Sequence, residues 1–353
     1  DWAVRVAEKA RQLPLPQATL DVDSLPIEVH GEQAGSANNG YYHTRCYHPI
    51  TVMLHETSDF LAGRLRPGNV HSADGVLDFL KPVIARARTE FSPNVVVRGD
   101  AGMPSEGLLS ALEEDRVPYV FRLVNNPCLD RLAEPHLRRP AGRPPHEPRT
   151  WSHDLSYRAG SWSKERRVVV VVLERPGELF LEHFVLVTNW TAKEKPGLDL
   201  LELYRQRGTM ENHLGELKSV LSPVLSCTTR PKSHVGGKPP KSVQLDLRDP
   251  EAGNAATFLL FLLSYNLLNA VRAVPHLPPK GTRSRGRRRP AEPVSRLDRL
   301  RTVLLRVPAR ITRTARRVVF QLNAAAGKAW LAFLKALDRL DSGSPRLVSP
   351  ATG

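Results

Sequence analysis

In residues 18–123, short apolar runs with the two-residue alternation of a strand trade places with runs of helical period, and this most narrows the folds open to the chain. Strands are predicted over 18–23 (ATLDVD), 47–54, 94–98 and 118–123. Helices are predicted over 70–87, with Leu77, Leu80 and Val83 on one side, and over 108–114. A polar Gly/Asn-rich stretch, 31–40, separates the first two strands. Alternation of this kind predicts an α/β sheet.

The pattern then changes. Residues 132–149 are rich in Pro and Arg and read as an exposed loop. Residues 151–157, 166–174 and 178–188 read as successive strands, a β-rich block. One long helix is predicted over 198–220 and a strongly apolar one over 252–274, while 280–289 (KGTRSRGRRR) reads as a basic linker. Residues 295–340 are predicted to be helical and arginine-rich. The apolar run around 257–268 is too short to span a bilayer, and no secretory signal opens the chain. It starts at Asp1 without a Met, directly in a predicted helix over 2–12, which points to a missing N-terminal portion.

Charge narrows the partner. Lys and Arg number 51 against 36 Asp and Glu, a net charge of +15. That surplus favours a polyanion, nucleic acid before membrane. Three cysteines, Cys46, Cys128 and Cys227, with no C-x-x-C, argue against a disulfide framework or structural zinc and fit a reducing cytoplasm. His30, His43, His48, His55 and His71 show no metal-ligand spacing and read as packing or surface residues.

The sharpest local signal lies in 198–220. On one continuous helix at about 100° per residue, Tyr204, Arg207, Glu211 and Lys218 fall within an arc of about 60°. Such a stripe is ordinarily a solvated face with i,i+4 ion pairs such as Arg207–Glu211. Two features argue for more: Gly208 inside the helix costs about 1 kcal/mol against Ala, and the charges do not simply alternate in sign.

The spacing Y-(2)-R-(3)-E-(6)-K resembles the motif around the last acidic residue of bacterial insertion-sequence DDE transposases of the cut-and-paste, hairpin-forming group. Further stretches resemble the same family: Thr19–Gly31 (TLDVDSLPIEVHG), Asn39-Gly40-Tyr41-Tyr42 with Pro49 just after it, Val97-Arg98-Gly99-Asp100-Ala101-Gly102, Thr188-Asn189, Asn254-Ala255 and Tyr265-Asn266-Leu267-Leu268. The branch they look most like is the insertion-sequence thirteen-eighty type.

The resemblance implies a ribonuclease H-like, retroviral-integrase-like α/β catalytic domain with an inserted β-rich subdomain and a helical basic C-terminal tail. The expected division is 1–130 and 196–275 for the catalytic domain, 131–195 for the insertion, 276–294 for the linker and 295–353 for the tail. Asp23, Asp100 and Glu211 are the implied catalytic carboxylates and Mg²⁺ ligands, with Mn²⁺ as a substitute. Such ions activate the attacking oxygen and stabilise the leaving one in an in-line phosphoryl displacement, and Mg²⁺ takes hard oxygen ligands. Asp21 shares a strand face with Asp23 and stays open as an alternative ligand. Asp23-Ser24-Leu25 fits the family pattern of Asp, small residue and Thr better, although Leu25 replaces the Thr.

Tyr204, Arg207 and Lys218 are the implied contacts to phosphates of the transposon end. Arg313, Arg316 and Arg317 are further phosphate candidates, and such contacts position DNA without reading its sequence. Of Trp151, Trp162 and Trp190, Trp162 is the candidate platform for an unstacked DNA base, against a default of core packing. The implied partners are DNA, as terminal inverted repeats and target, and a second copy in a homodimer on DNA, with no membrane, in a bacterial cytoplasm at the nucleoid. The rival expectation is a decayed transposase that only binds DNA.

Overall fold

A computed structural model describes residues 14–143, 145–227, 250–273, 297–313 and 318–340. The predicted helix over 2–12 and the basic run 280–289 lie outside the described residues, as do Arg316 and Arg317. The chain divides into two compact units, one of residues 15–214 and 223–260, the other of 1–14, 215–222 and 261–353.

The larger unit is a mixed α/β fold. Its strands run β1 (Ala18–Ser24), β2 (Ile27–Glu28), β3 (Ala37–Asn39), β4 (Thr44–Tyr47), β5 (Ile50–Leu54), β6 (Asp59–Arg64), β7 (Val95–Gly99), β8 (Tyr119–Arg122), β9 (Arg149–Tyr157), β10 (Arg166–Glu174) and β11 (Glu182–Thr188). Eight of them form one sheet in the order β6-β5-β1-β7-β8-β11-β10-β9, and β2, β4 and β3 form a small second sheet. Strands β1, β7 and β8 are parallel, and the remaining pairings of the large sheet are antiparallel. The predicted strand 47–54 is interrupted at His48-Pro49 and belongs to two sheets, because Pro49 has no N–H for a ladder.

Both faces of the large sheet are covered, as continuous valine runs require. In β10, Val168, Val170 and Val172 enter one core, with Leu80 and Ile84 of α1 (Val76–Glu90) and Leu108 and Leu112 of α2 (Glu106–Glu114). Val169 and Val171 face the opposite way, onto Leu200 and Leu201 of α4 (Gly197–Arg205); a short helix, α3 (Pro127–Ala133), precedes α4 in the chain. Helix α1 starts at Val76, because Gly75 before it is left-handed at φ 66° and residues 72–75 form turns.

Within residues 131–195, β9, β10 and β11 continue the large sheet through the β11–β8 ladder. Which strand a strand pairs with is not written in its own alternation. The predicted helix 198–220 is broken into α4, α5 (Gly208–Glu216) and a wider π-helical turn, Leu217–Leu221. The break falls at Gln206-Arg207, before Gly208, a weak helix former. The single stripe calculated for one helix therefore does not exist.

In the smaller unit, the predicted helix 295–340 begins with a short α7 (Leu297–Leu300) and a π-helical turn, Arg301–Leu305. A hairpin of β12 (Ala309–Arg313) and β13 (Val318–Leu322) follows, then helix α8 (Ala324–Leu340). Ile311, Thr312, Val318 and Val319 are β-branched, which favours strand over helix at those positions. Trp330 donates from Nε1 to the Leu304 carbonyl (3.0 Å), and Glu216 accepts from Arg272 (2.8 Å) and from the Leu297 N–H (3.1 Å).

Helix α6 (Pro250–Ala273) follows α5 in the chain, and its residues belong to both units. Its stretch Glu251–Arg272 is long and apolar enough to cross a membrane by length and composition, although the apolar run inside it is not. Asn254 in this helix is fully buried in the larger unit, donating to Tyr47 Oη (2.8 Å) and to the Cys227 carbonyl (3.0 Å).

Candidate active site

The site grows from the register of three parallel strands. Strand β1 puts Ala18, Leu20 and Val22 into the core, so Asp21 and Asp23 point to the other face. Val22 of β1 lies beside Gly99 of β7, and Gly99 beside Phe121 of β8. The next residue on each strand or just past it, Asp23, Asp100 and Arg122, therefore gathers at the carboxyl ends of the strands. Ligand crevices of open α/β sheets form at such ends. A Cβ on Gly99 would sit 2.7 Å from the Phe121 ring, so the strand end carrying Asp100 needs glycine there. Asp100 closes a tight turn, its Oδ1 accepting the Gly102 N–H at 3.0 Å.

Asp23, Asp100, Arg122, Tyr204, Arg207 and Glu211 line one cleft of about 570 Å³. The break between α4 and α5 lets Arg207 turn inward. Its Nη2 donates to Asp23 Oδ2 at 2.7 Å and its Nη1 to Glu211 Oε1 at 3.0 Å. Arg207 is buried, while the Glu211 side chain is 64% exposed and reaches the cleft from the first turn of α5. Asp23 also accepts the Ser24 N–H at 2.8 Å. Burial pushes its carboxyl up to about 6; Arg207 opposes the rise, and Asp100 and Glu211 add to it. Tyr204 packs against the second core, and burial raises its phenol.

Asp21 has a different role. It is fully buried, and both its oxygens are taken by Arg98, at 2.7 and 2.8 Å. Arg98 also donates to the Leu203 carbonyl of α4 and to Gln206 Oε1 (3.5 Å), tying β1 and β7 to the helix beside the cleft. Asp21, the alternative metal ligand of the sequence analysis, is engaged in this ion pair and does not line the cleft.

Trp162 is corrected. It is 5% exposed inside the main core, edge-to-face with Tyr157 and under the Arg166 guanidinium at 5.1 Å. A ring packed on those sides cannot take a DNA base. Arg207 also differs from its expected part as a phosphate clamp, since two carboxylates already hold its guanidinium. Lys218 sits in the π-helical turn of the smaller unit, and Arg313 is exposed on β12. Arg122 was not singled out from sequence, where it is a polar position inside the strand predicted over 118–123. Among the described residues, no three His, Cys, Asp or Glu side chains stand close enough together to hold a metal ion.

No curated protein matches the chain. Among solved structures it is similar to one described as the cryo-EM structure of the piggyBac transposase synaptic complex with hairpin DNA, at 11% identity and a TM-score of 0.42. That match covers 94% of this chain and 55% of the other, a likeness too low to establish the fold. The family model described as Transposase DDE domain group 1 matches residues 5–235, well over half of the 353 residues, and the chain therefore belongs to that family.

Proposed function

We propose that this chain is the catalytic part of a bacterial insertion-sequence transposase that cleaves and joins DNA strands with Mg²⁺, through Asp23, Asp100 and Glu211. The observation that carries the reading is the convergence of these carboxylates on one cleft, two of them bonded to the same cation, the Arg207 guanidinium. A carboxylate within a strand, one at the end of a neighbouring strand and one on an abutting helix is the arrangement expected of a ribonuclease H-like domain. The donors are carboxylate oxygens, which suit Mg²⁺ or Mn²⁺. When bound, such ions supply charge for the attacking and leaving oxygens of a phosphoryl transfer.

The chain's own residues prepare that chemistry. Arg207 fixes the carboxylates of Asp23 and Glu211 at known oxygens and offsets their repulsion. Arg122 and Tyr204 line the cleft, where a guanidinium suits a DNA phosphate. The surplus of positive charge draws DNA at long range and makes affinity salt-dependent. A homodimer would bring two transposon ends together.

A second reading, a DNA-binding remnant without catalysis, is favoured by one observation: the described residues hold no ready-made metal cluster, and Arg207 already neutralises two of the carboxylates. A plasmid-nicking assay in Mg²⁺ and Mn²⁺ separates the two. The catalytic reading expects cleavage by the native chain and loss of at least a hundredfold in Glu211→Gln, with DNA affinity within a factor of about three. Cleavage retained by Glu211→Gln removes the assignment, and no cleavage by the native chain supports the remnant.

A further inference from the structure

Between the end of β6 at Arg64 and the start of α1 at Val76, the chain has turns and one isolated bridge, Tyr47 to Pro67, in place of a ladder. One side chain gathers this stretch. Arg66 is buried, at 6% exposure. Its Nε donates to the His48 carbonyl at 2.9 Å and its Nη1 to the Asp74 carbonyl at 2.8 Å. Longer bonds of 3.4 Å run from Nη1 to the carbonyls of His71 and Ser72, and from Nη2 to Ser24 Oγ. The His48 N–H returns a bond to the Arg66 carbonyl at 2.9 Å. A buried guanidinium is ordinarily paired with a carboxylate. This one gives its hydrogen bonds to main-chain carbonyls and one hydroxyl instead.

Each end of that grip leads to a carboxylate of the cleft. Ser24 follows Asp23, whose Oδ1 accepts the Ser24 N–H at 2.8 Å. Ser24 also pairs with Ile50, two residues after His48. Ser72 lies against the turn that Asp100 closes. A Cβ on Gly102 would stand 3.0 Å from the Ser72 Cβ, and Gly102 gives its N–H to Asp100 Oδ1 at 3.0 Å. One planar fork of donors thus joins the residue after Asp23 to the loop that packs on the Asp100 turn. Arg66 itself does not line the cleft.

We infer that Arg66 is a positioning residue for the cleft: it sets Asp23 and Asp100 for a shared divalent ion. The inference rests on the proposed reading that these carboxylates take Mg²⁺ or Mn²⁺. Groups hydrogen-bonded behind metal ligands typically change affinity about 10–100-fold when removed. Arg66 acts through Ser24 and Ser72 and not on the carboxylates directly, which places it at the lower end of that range. Lysine should not replace it, because a guanidinium reaches acceptors in several directions from one plane, whereas an ammonium is a point charge. A role confined to fold stability would lower the unfolding midpoint and leave the metal affinity of the folded chain unchanged.

The test is Mn²⁺ titration of the full chain without DNA, with free Mn²⁺ read by electron paramagnetic resonance and the urea midpoint measured on the same preparations. Arg66→Gln and Arg66→Lys are expected to bind Mn²⁺ about tenfold more weakly than the native chain. Leu112→Ala, a core change on α2 that does not touch the cleft, should lose stability yet keep native Mn²⁺ affinity. Native affinity in both Arg66 variants overturns the inference. So does native affinity in Arg66→Lys alone, which would make the charge and not the fork the active feature. An equal loss of affinity in Leu112→Ala also overturns it, since the effect would then be one of general stability. If neither Arg66 variant folds, Ser24→Ala decides, because it removes the Nη2 acceptor and keeps the Ser24 N–H bond to Asp23. Weakened Mn²⁺ binding there supports the inference, and native binding overturns it. Asp23→Asn and Glu211→Gln, run alongside, report on the catalytic reading. Mn²⁺ affinity that ignores both removes that reading and the inference with it. Affinity that depends on them but ignores Arg66 removes the inference alone.

Discussion

Asp21→Asn is expected to cost about 3–5 kcal/mol of stability, because it leaves the Arg98 guanidinium buried without a counter-charge. Both side chains are fully shielded from solvent and joined by two hydrogen bonds of 2.7 and 2.8 Å. Asparagine keeps the shape and one acceptor but removes the charge. Against a typical total stability of about 5–15 kcal/mol, that loss is large. The exposed pair Arg86–Glu90 supplies the contrast: at 64% and 46% exposure it is worth about 0.3–0.5 kcal/mol, so Arg86→Ala should hardly shift the transition.

The assay is urea unfolding followed by tryptophan fluorescence, with the slope checked for constancy. A double-mutant cycle sharpens it. Asp21→Leu with Arg98→Met should recover most of what either single change loses, since apolar replacement of a buried pair is often neutral. A residual cost of about 1 kcal/mol should remain for the Leu203 carbonyl, which loses its donor. The coupling energy should exceed about 2 kcal/mol. Additive single effects, or an Asp21→Asn change below about 1 kcal/mol, would refute the view that Asp21 holds the fold while Asp23 serves the cleft.

Other perturbations test neighbouring claims. Mg²⁺ should raise the melting temperature of the native chain in a concentration-dependent way but not that of Asp23→Asn, read by thermal unfolding without DNA. Glu106 is held down at about 2 by hydrogen bonds from Arg166 and Ser163, below its ordinary 4.5. Its folded-state pKa is depressed, so the stability it contributes is present above about 4.5 and lost as pH falls towards 2; Arg166→Gln should flatten that loss in acid-unfolding curves. Gly68→Ala should destabilise by about 1–3 kcal/mol through overpacking, read as a lower urea midpoint. Gly208→Ala meets no atom within 4 Å and should leave stability unchanged or raise it by up to about 1 kcal/mol, measured by urea midpoint.

Local pattern made several elements legible. The strand predicted over 18–23 is β1, that over 94–98 is β7 within one residue, and 166–174 matches β10. These are apolar runs whose period and length agree with burial on a sheet. What was not legible depended on partners distant in the chain. Nothing in 149–188 says that β11 pairs with β8, so an extended sheet read as a separate block. Arg207 read as a phosphate clamp because its inward turn depends on Asp23, 184 positions earlier. The hairpin at 309–322 was hidden by its arginines, although Ile311, Val318 and Val319 carried the β signal. Asp21 and Asp23 could be separated only by Arg98, whose two bonds to Asp21 are a long-range fact.

The ladder between β11 and β8 also bears on how the protein could be cut down or re-engineered. Because strands β9 to β11 are stitched to the central sheet, residues 149–188 are not a detachable cassette. Excising them would strip β8 of a neighbour and uncover Phe121 in one core and Val120, Leu200 and Leu201 in the other, which pack with the excised valines. Grafting a foreign insertion at this point would therefore require a replacement strand in register with Val120, Phe121 and Arg122, not merely a flexible linker of matching span.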